Sequence, residues 1–195
     1  MKKQEVPEVI EPKDIFTGEE NAPITITEYG DYESDECLKA NEVVKELLEL
    51  FPGKIKFIFR HFPLLQFHQK AHKAAEAAIA AGQEGRFWQM HQAIFQNRRN
   101  LGVTSLKLYA REAGVKNKKF LDELINGTYG WYVHGDLVEG KSLGVTTIPA
   151  FFINQVRFEK EPTLKNMKSH IESLLVTKKT KGKGTAIPIV VKKIA

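Results

Sequence analysis

The sequence predicts an α/β fold, with one mixed sheet and a block of helices inserted between its second and third strands. A strand-helix-strand run fills residues 24–59, and helical patterns then continue to about residue 143 without a strand among them. Two short apolar strands and a last helix follow. Alternating and 3.6-residue periodicities separate these segments cleanly.

Residues 1–20 are polar, contain Pro7 and Pro12, and read as an arm leading into the fold. "ITITEY" (24–29) alternates β-branched and polar residues, the pattern of a strand. From Ser34 to Leu50, apolar residues at Leu38, Val43, Val44, Leu47, Leu48 and Leu50 recur at helical spacing, and Pro52-Gly53 ends the helix. "KIKFIF" (54–59) is the second strand. The intervening helix makes the pair parallel, with a right-handed crossover expected.

The alanine-rich "HKAAEAAIAAGQEG" opens the helical block, and "RFWQMHQAIFQNR" puts Phe87, Met90, His91, Ile94 and Phe95 on one face. "TSLKLYAREAG" and "NKKFLDELING" each start at a capping residue and stop at glycine. Residues 129–143 read as helix despite Gly130, Gly135 and Gly140. "TTIPAFFINQVRF" reads as two short strands around a turn at Asn154-Gln155, with a final helix over about 162–176. No internal repeat is present.

With 195 residues, 42% of them hydrophobic, the chain can bury a sizeable core as one domain. No run approaches the roughly 20 apolar residues of a membrane span. "MKKQEVPEVIEPKD" lacks the apolar block of a secretory signal, so a cytoplasmic location is expected, or a periplasmic one if Met1 is not the native start. A single cysteine allows no internal disulfide. The chain holds 29 basic and 24 acidic residues, but six of the lysines lie in residues 178–195, which leaves 23 against 24 elsewhere. The positive charge therefore belongs to the tail, and the body gives no signal for nucleic acid. That tail reads as a solubilising appendage, a polyanion-binding arm, or, through "AIPIVV", a pairing strand.

Cys37 lies in the first turn of the first helix, just after Asp31, Glu33, Asp35 and Glu36. The helix N-terminus favours a thiolate, whereas the neighbouring carboxylates oppose one. On residues alone, two readings stand: a buried inert cysteine or a reactive monothiol.

"NAPITITEYGDYESDEC" followed by an amphipathic helix resembles the DsbA-like branch of the thioredoxin fold, whose members are thiol–disulfide oxidoreductases. "RHFPL" (60–64), "HQKAHKAAEAAIAA" (68–81), "RFWQMHQAIFQN" (86–97) and "GVTTIPAFFIN" (144–154) resemble family segments in the family order, so the likeness covers roughly residues 14–175. It implies a thioredoxin-like mixed sheet with an inserted all-helical domain. The corresponding division is an arm over 1–20, a thioredoxin-like domain from 21–62 and 144–177, a helical domain over 63–143, and the basic tail over 178–195. It also implies that Pro149 is a cis-proline, with Ile148-Pro149 forming a substrate-binding edge for an extended peptide or a thiol-containing protein. Without the resemblance, Pro149 reads only as a strand start.

The departure from the family decides the chemistry. Where the family has Cys-x-x-Cys, this chain reads Ser34-Asp35-Glu36-Cys37. Dithiol exchange needs one sulfur to form the mixed disulfide and another to resolve it, and a serine hydroxyl does neither. The chain is therefore expected to be at most a monothiol enzyme through Cys37, or a redox-inactive peptide-binding module. A third reading takes Ser34 as a hydroxyl that activates glutathione, as in the related kappa-class transferases. The acidic neighbours disfavour an anionic tripeptide, and Ser34 reads equally as a helix N-cap.

No metal is expected. Asp31, Glu33, Asp35 and Glu42 reproduce calcium-loop spacing, but Glu36 stands where that loop needs glycine. His68 and His72 are spaced i, i+4 as if on one helical face, without a third ligand nearby. His61 and His91 read as structural. No membrane or nucleic-acid partner is expected, and the oligomeric state is not legible.

Overall fold

The computed structural model describes residues 9–181. A 3-10 turn at Pro12–Asp14 leads to β1 (Phe16–Gly18), β2 (Ile24–Gly30), α1 (Asp35–Leu50) and β3 (Ile55–His61). The inserted block is α2 (Ala71–Gly82), α3 (Phe87–Gln96), α4 (Val103–Glu112), α5 (Phe120–Ile125) and α6 (Gly130–Ser142). β4 (Ala150–Ile153), β5 (Val156–Arg157) and α7 (Leu164–Lys181) complete the chain. The five-stranded sheet runs β1-β3-β2-β4-β5, with only β2 and β3 parallel.

Strand alternation sorts the side chains to the two faces. Ile24, Ile26, Phe57 and Phe59 enter the main core with Val44 and Leu47 of α1 and Met167 and Ile171 of α7. Tyr29, Ala150 and Phe152 point the other way, into a smaller cluster with Phe62 and Val145. Gly140 of α6 allows the close approach there, because a Cβ at that position would stand 2.7 Å from the Phe62 ring. In α2, Ala74, Ala75 and residues 77–81 are all buried, as befits a helix enclosed on nearly every side.

Three sequence expectations need correction. The arm expected over 1–20 is in part an edge strand, because Phe16–Gly18 pairs antiparallel with β3. Trp88 Nε1 of α3 donates to the Phe16 carbonyl at 2.8 Å, and Lys56 lies 4.2 Å over the Phe16 ring. Second, α4 begins at Val103 and α5 at Phe120, with Gly102 and Lys119 as their N-caps and no side-chain cap bond at either. Just ahead of α5, Asn117 still accepts from the Lys119 amide through its Oδ1 at 2.9 Å. Third, α2 begins at Ala71, so His68 lies in the preceding turn and does not share a helical face with His72. The turn at Asn154 and Gln155 does form, with positive φ at both residues (50° and 67°). Asn154 Oδ1 secures it by accepting from the Thr25 amide at 2.9 Å. Of the tail reading over 178–195, residues 182–195 with "AIPIVV" lie outside the described residues.

Candidate functional site

The candidate site lies where β2 runs into α1. Ser34 is the N-cap, with an extended backbone, and its Oγ accepts from the Cys37 amide at 3.2 Å. The same hydroxyl donates to Glu36 Oε2 at 3.3 Å. Ser34 is 3% exposed and Cys37 0%, so neither side chain meets solvent. Cys37 Sγ accepts from the Asp31 amide at 3.4 Å. Burial pushes its thiol pKa far up, and the Glu28 carboxyl raises it further, against a small lowering by the hydrogen bonds from Asp31 and Ser34. A reactive cysteine needs access and an accessible thiolate; Cys37 has neither.

The four acidic neighbours act as structural brackets. Asp31 is buried. Its Oδ1 accepts from the Glu33 amide at 2.8 Å, and its Oδ2 accepts from the Leu64 amide and His68 Nδ1, both at 2.8 Å. Glu33 Oε2 accepts from the Lys70 and Ala71 amides at 2.7 and 2.9 Å, capping α2 from another part of the chain. Asp35 pairs with Arg98, which holds its carboxyl below the usual range. Glu36 accepts from Ser34. The loop thereby ties the helical block to the sheet, and its carboxylates do not converge on a cation. Among the described residues, no group of three or more His, Cys, Asp or Glu could hold a metal. His68 and His72 face different carboxylates, His72 Nδ1 lying 3.0 Å from Glu76 Oε1.

Beneath this loop lies a polar interior that sequence reasoning missed. Glu28 is 1% exposed, and among the described residues neither of its oxygens has a hydrogen-bond partner. Burial raises its pKa well above that of an ordinary carboxyl and so favours the neutral acid. The signal was present: Glu28 follows Ile24 and Ile26 at period two and therefore points inward. His61 donates from Nδ1 and from its backbone amide to Asp136 Oδ2, each at 2.9 Å. Asp136 Oδ1 accepts from Arg60 Nε at 2.6 Å, and Arg60 also pairs with Glu139. His91 Nε2 donates to Asn41 Oδ1 at 3.1 Å while Nδ1 accepts from the Tyr32 hydroxyl at 3.0 Å. Burial lowers the pKa of His91 well below its ordinary value, consistent with that neutral tautomer. His61 and His91 are thus structural, His91 joining α3 to the loop and to α1.

The Ile148–Pro149 bond is cis. Pro149 lines a groove of about 400 Å³ with Glu36, Ala40 and Val43 of α1, Glu161 just before α7 and Leu164 at its start. Ile148 is partly buried and packs against both apolar clusters. Of the four expected site residues, only Pro149 lines this groove; Ser34 and Cys37 are buried at the start of α1.

The sequence family described as thioredoxin matches residues 11–173. Among solved structures, oxidised BdbD from Bacillus subtilis superposes with a TM-score of 0.76 at 22% identity, covering 85% of this chain and 93% of that one. Alpha-DsbA1 from Wolbachia pipientis gives 0.70 at 24% identity, over 86% of this chain and 94% of its own. These two likenesses concern the fold. A Na(+)/H(+) antiporter NhaA of Salinispora arenicola is 36% identical over 143 residues, which is 73% of this chain and 22% of the antiporter. A second, from Salinispora tropica, is 28% identical over 90% of this chain and 27% of its own length. The chain thus spans about a quarter of the length of the curated relatives it matches.

Proposed function

We propose that the chain, a member of the thioredoxin family, is a redox-silent binding module of that family's DsbA-like branch. Its groove between α1 and Pro149 holds an extended peptide or protein segment, and no thiol–disulfide exchange takes place. The complete burial of Cys37 carries this reading. A disulfide forms only when a thiolate sulfur meets another sulfur, and Cys37 offers neither ionisation nor approach. Uncovering it would require opening the first turn of α1, breaking the Ser34 cap and the Asp31 contact. Monothiol chemistry is therefore the weaker reading. The glutathione reading is weaker still, because the Ser34 hydroxyl is already engaged at both its donor and acceptor sides.

The groove supports the binding half of the proposal. Ala40, Val43, Pro149 and Leu164 give it an apolar wall, and Glu36, Lys39 and Glu161 a charged rim. Sites for extended ligands combine apolar pockets with a few polar groups in this way. Titration with a reduced, carboxymethylated unfolded protein, followed by amide NMR, tests it. Shifts concentrated at Ala40, Val43 and Leu164 are expected; shifts elsewhere alone, or none, would contradict the groove. In parallel, insulin-reduction turnover near that of a two-cysteine relative would overturn the redox half.

A further inference from the structure

We propose that the ligand the groove takes first is the C-terminal segment of a second copy of this chain, so that two copies exchange tails. The proposal rests on the reading of the groove as a peptide site, and names its occupant.

The segment has the chemistry the groove asks for. Residues 186–191, "AIPIVV", are uncharged and apolar, and lysines flank them at 178, 179, 181 and 183 on one side and 192 and 193 on the other. The groove offers an apolar wall with Glu36, Lys39 and Glu161 at its rim, two acids against one base. The remainder of the chain, with 23 basic and 24 acidic residues, does not repel a tail carrying six lysines. An uncharged centre seated on an apolar wall, with cations beside acidic rims, is the complementarity that selects partners.

Geometry then chooses between the chain's own tail and its neighbour's. α7 starts at Leu164, which itself lines the groove, and runs away from it for 18 residues to Lys181. At 1.5 Å per residue, its end lies about 27 Å from the groove. A fully extended return at about 3.3 Å per residue uses roughly eight residues, as far as Ile189. The portion that reaches its own groove is then "VVKKIA", with Lys192 and Lys193 in its middle. The apolar hexapeptide falls short in its own chain, whereas on a second copy no such limit applies. Reciprocal exchange uses the same two surfaces in both directions and closes as a symmetric dimer.

The test uses the full chain. Light scattering across concentration is expected to rise from the mass of one chain toward that of two, and Ile187→Asp with Ile189→Asp is expected to abolish the rise. Unchanged circular dichroism of the double variant shows that its body is intact. Mixing a Glu161→Cys copy with a Thr185→Cys copy under mild oxidation is expected to give a mixed disulfide dimer, with Cys37 too buried to compete. A chain carrying both substitutions that closes on itself as a monomer would overturn the exchange, as would a parent chain that stays monomeric. A synthetic peptide of residues 182–195, added to the double variant, separates the two readings. If the peptide shifts the Ala40 and Leu164 amides while the full chain stays monomeric, the exchange falls and the groove stands. If it shifts neither, both fall.

Discussion

Glu28 gives the sharpest quantitative test of the buried polar interior. Its carboxyl is buried near Cys37 and the Phe59 ring, with neither oxygen paired among the described residues, and burial raises its pKa well above the ordinary value. Glu28→Gln keeps the shape and removes the ionisation. In the parent chain, the unfolded state releases this proton near pH 4.3 while the folded state retains it. Between the unfolded pKa and the raised folded one, the native state binds one more proton, so folding stability falls as pH rises. The slope for one group is about 1.4 kcal/mol per pH unit, and no such loss exists in the glutamine variant. The variant minus parent difference is therefore expected to grow as pH rises above the unfolded pKa, by up to about 1.4 kcal/mol per unit, until the pH reaches the raised folded pKa. Urea denaturation of both proteins at pH 5, 6, 7 and 8 reads it directly, with the m-value checking that the transition is unchanged. A difference independent of pH, or one that shrinks as pH rises, would refute the buried neutral acid.

Other outcomes follow from the same contacts. Ser34→Ala removes the acceptor for the Cys37 amide and should cost about 1 kcal/mol, the usual worth of an N-cap, measured by thermal or urea unfolding. Ser34→Cys restores two sulfurs at the family spacing and should yield a chain whose two free thiols disappear on oxidation, counted with a thiol reagent in denaturant. Asp136→Ala leaves the buried Arg60 guanidinium with only the half-exposed Glu139 as its anion and frees His61 Nδ1. Breaking a buried pair in this way costs about 3–5 kcal/mol, and the melting temperature should fall by roughly 6–20 °C.

The sheet and the helical block were legible because their signals are local. Ile24 and Ile26 alternate along a strand, Val44 and Leu47 recur along a helix, and Asn154-Gln155 interrupts two apolar runs. β1 was not legible, since Phe16–Gly18 is three residues long and exists through its pairing with β3. At the site, the Ser34 cap could be read from residue type, and the first-turn position of Cys37 left burial open. The carboxylates were harder. Asp31, Glu33 and Asp35 meet Leu64, Lys70 and Arg98, partners more than 30 residues away. A dense acidic run looks like a ligand cluster until those partners are placed. Glu28 was written in the strand period and overlooked, because an acid in an alternating strand is ordinarily assigned to the solvent face. The Asp136 link could not be found locally either, as it joins α6 to β3 across 75 residues.

The central claim is that Cys37 is a silent thiol under an intact α1 cap. The most direct measurement is the rate of iodoacetamide modification of the native chain from pH 6 to pH 9.5, against the same chain in denaturant. The account predicts negligible modification of the native protein throughout and complete modification once unfolded. Rapid native alkylation with a midpoint below that of a free thiol would contradict it and return Cys37 to the role of a working monothiol.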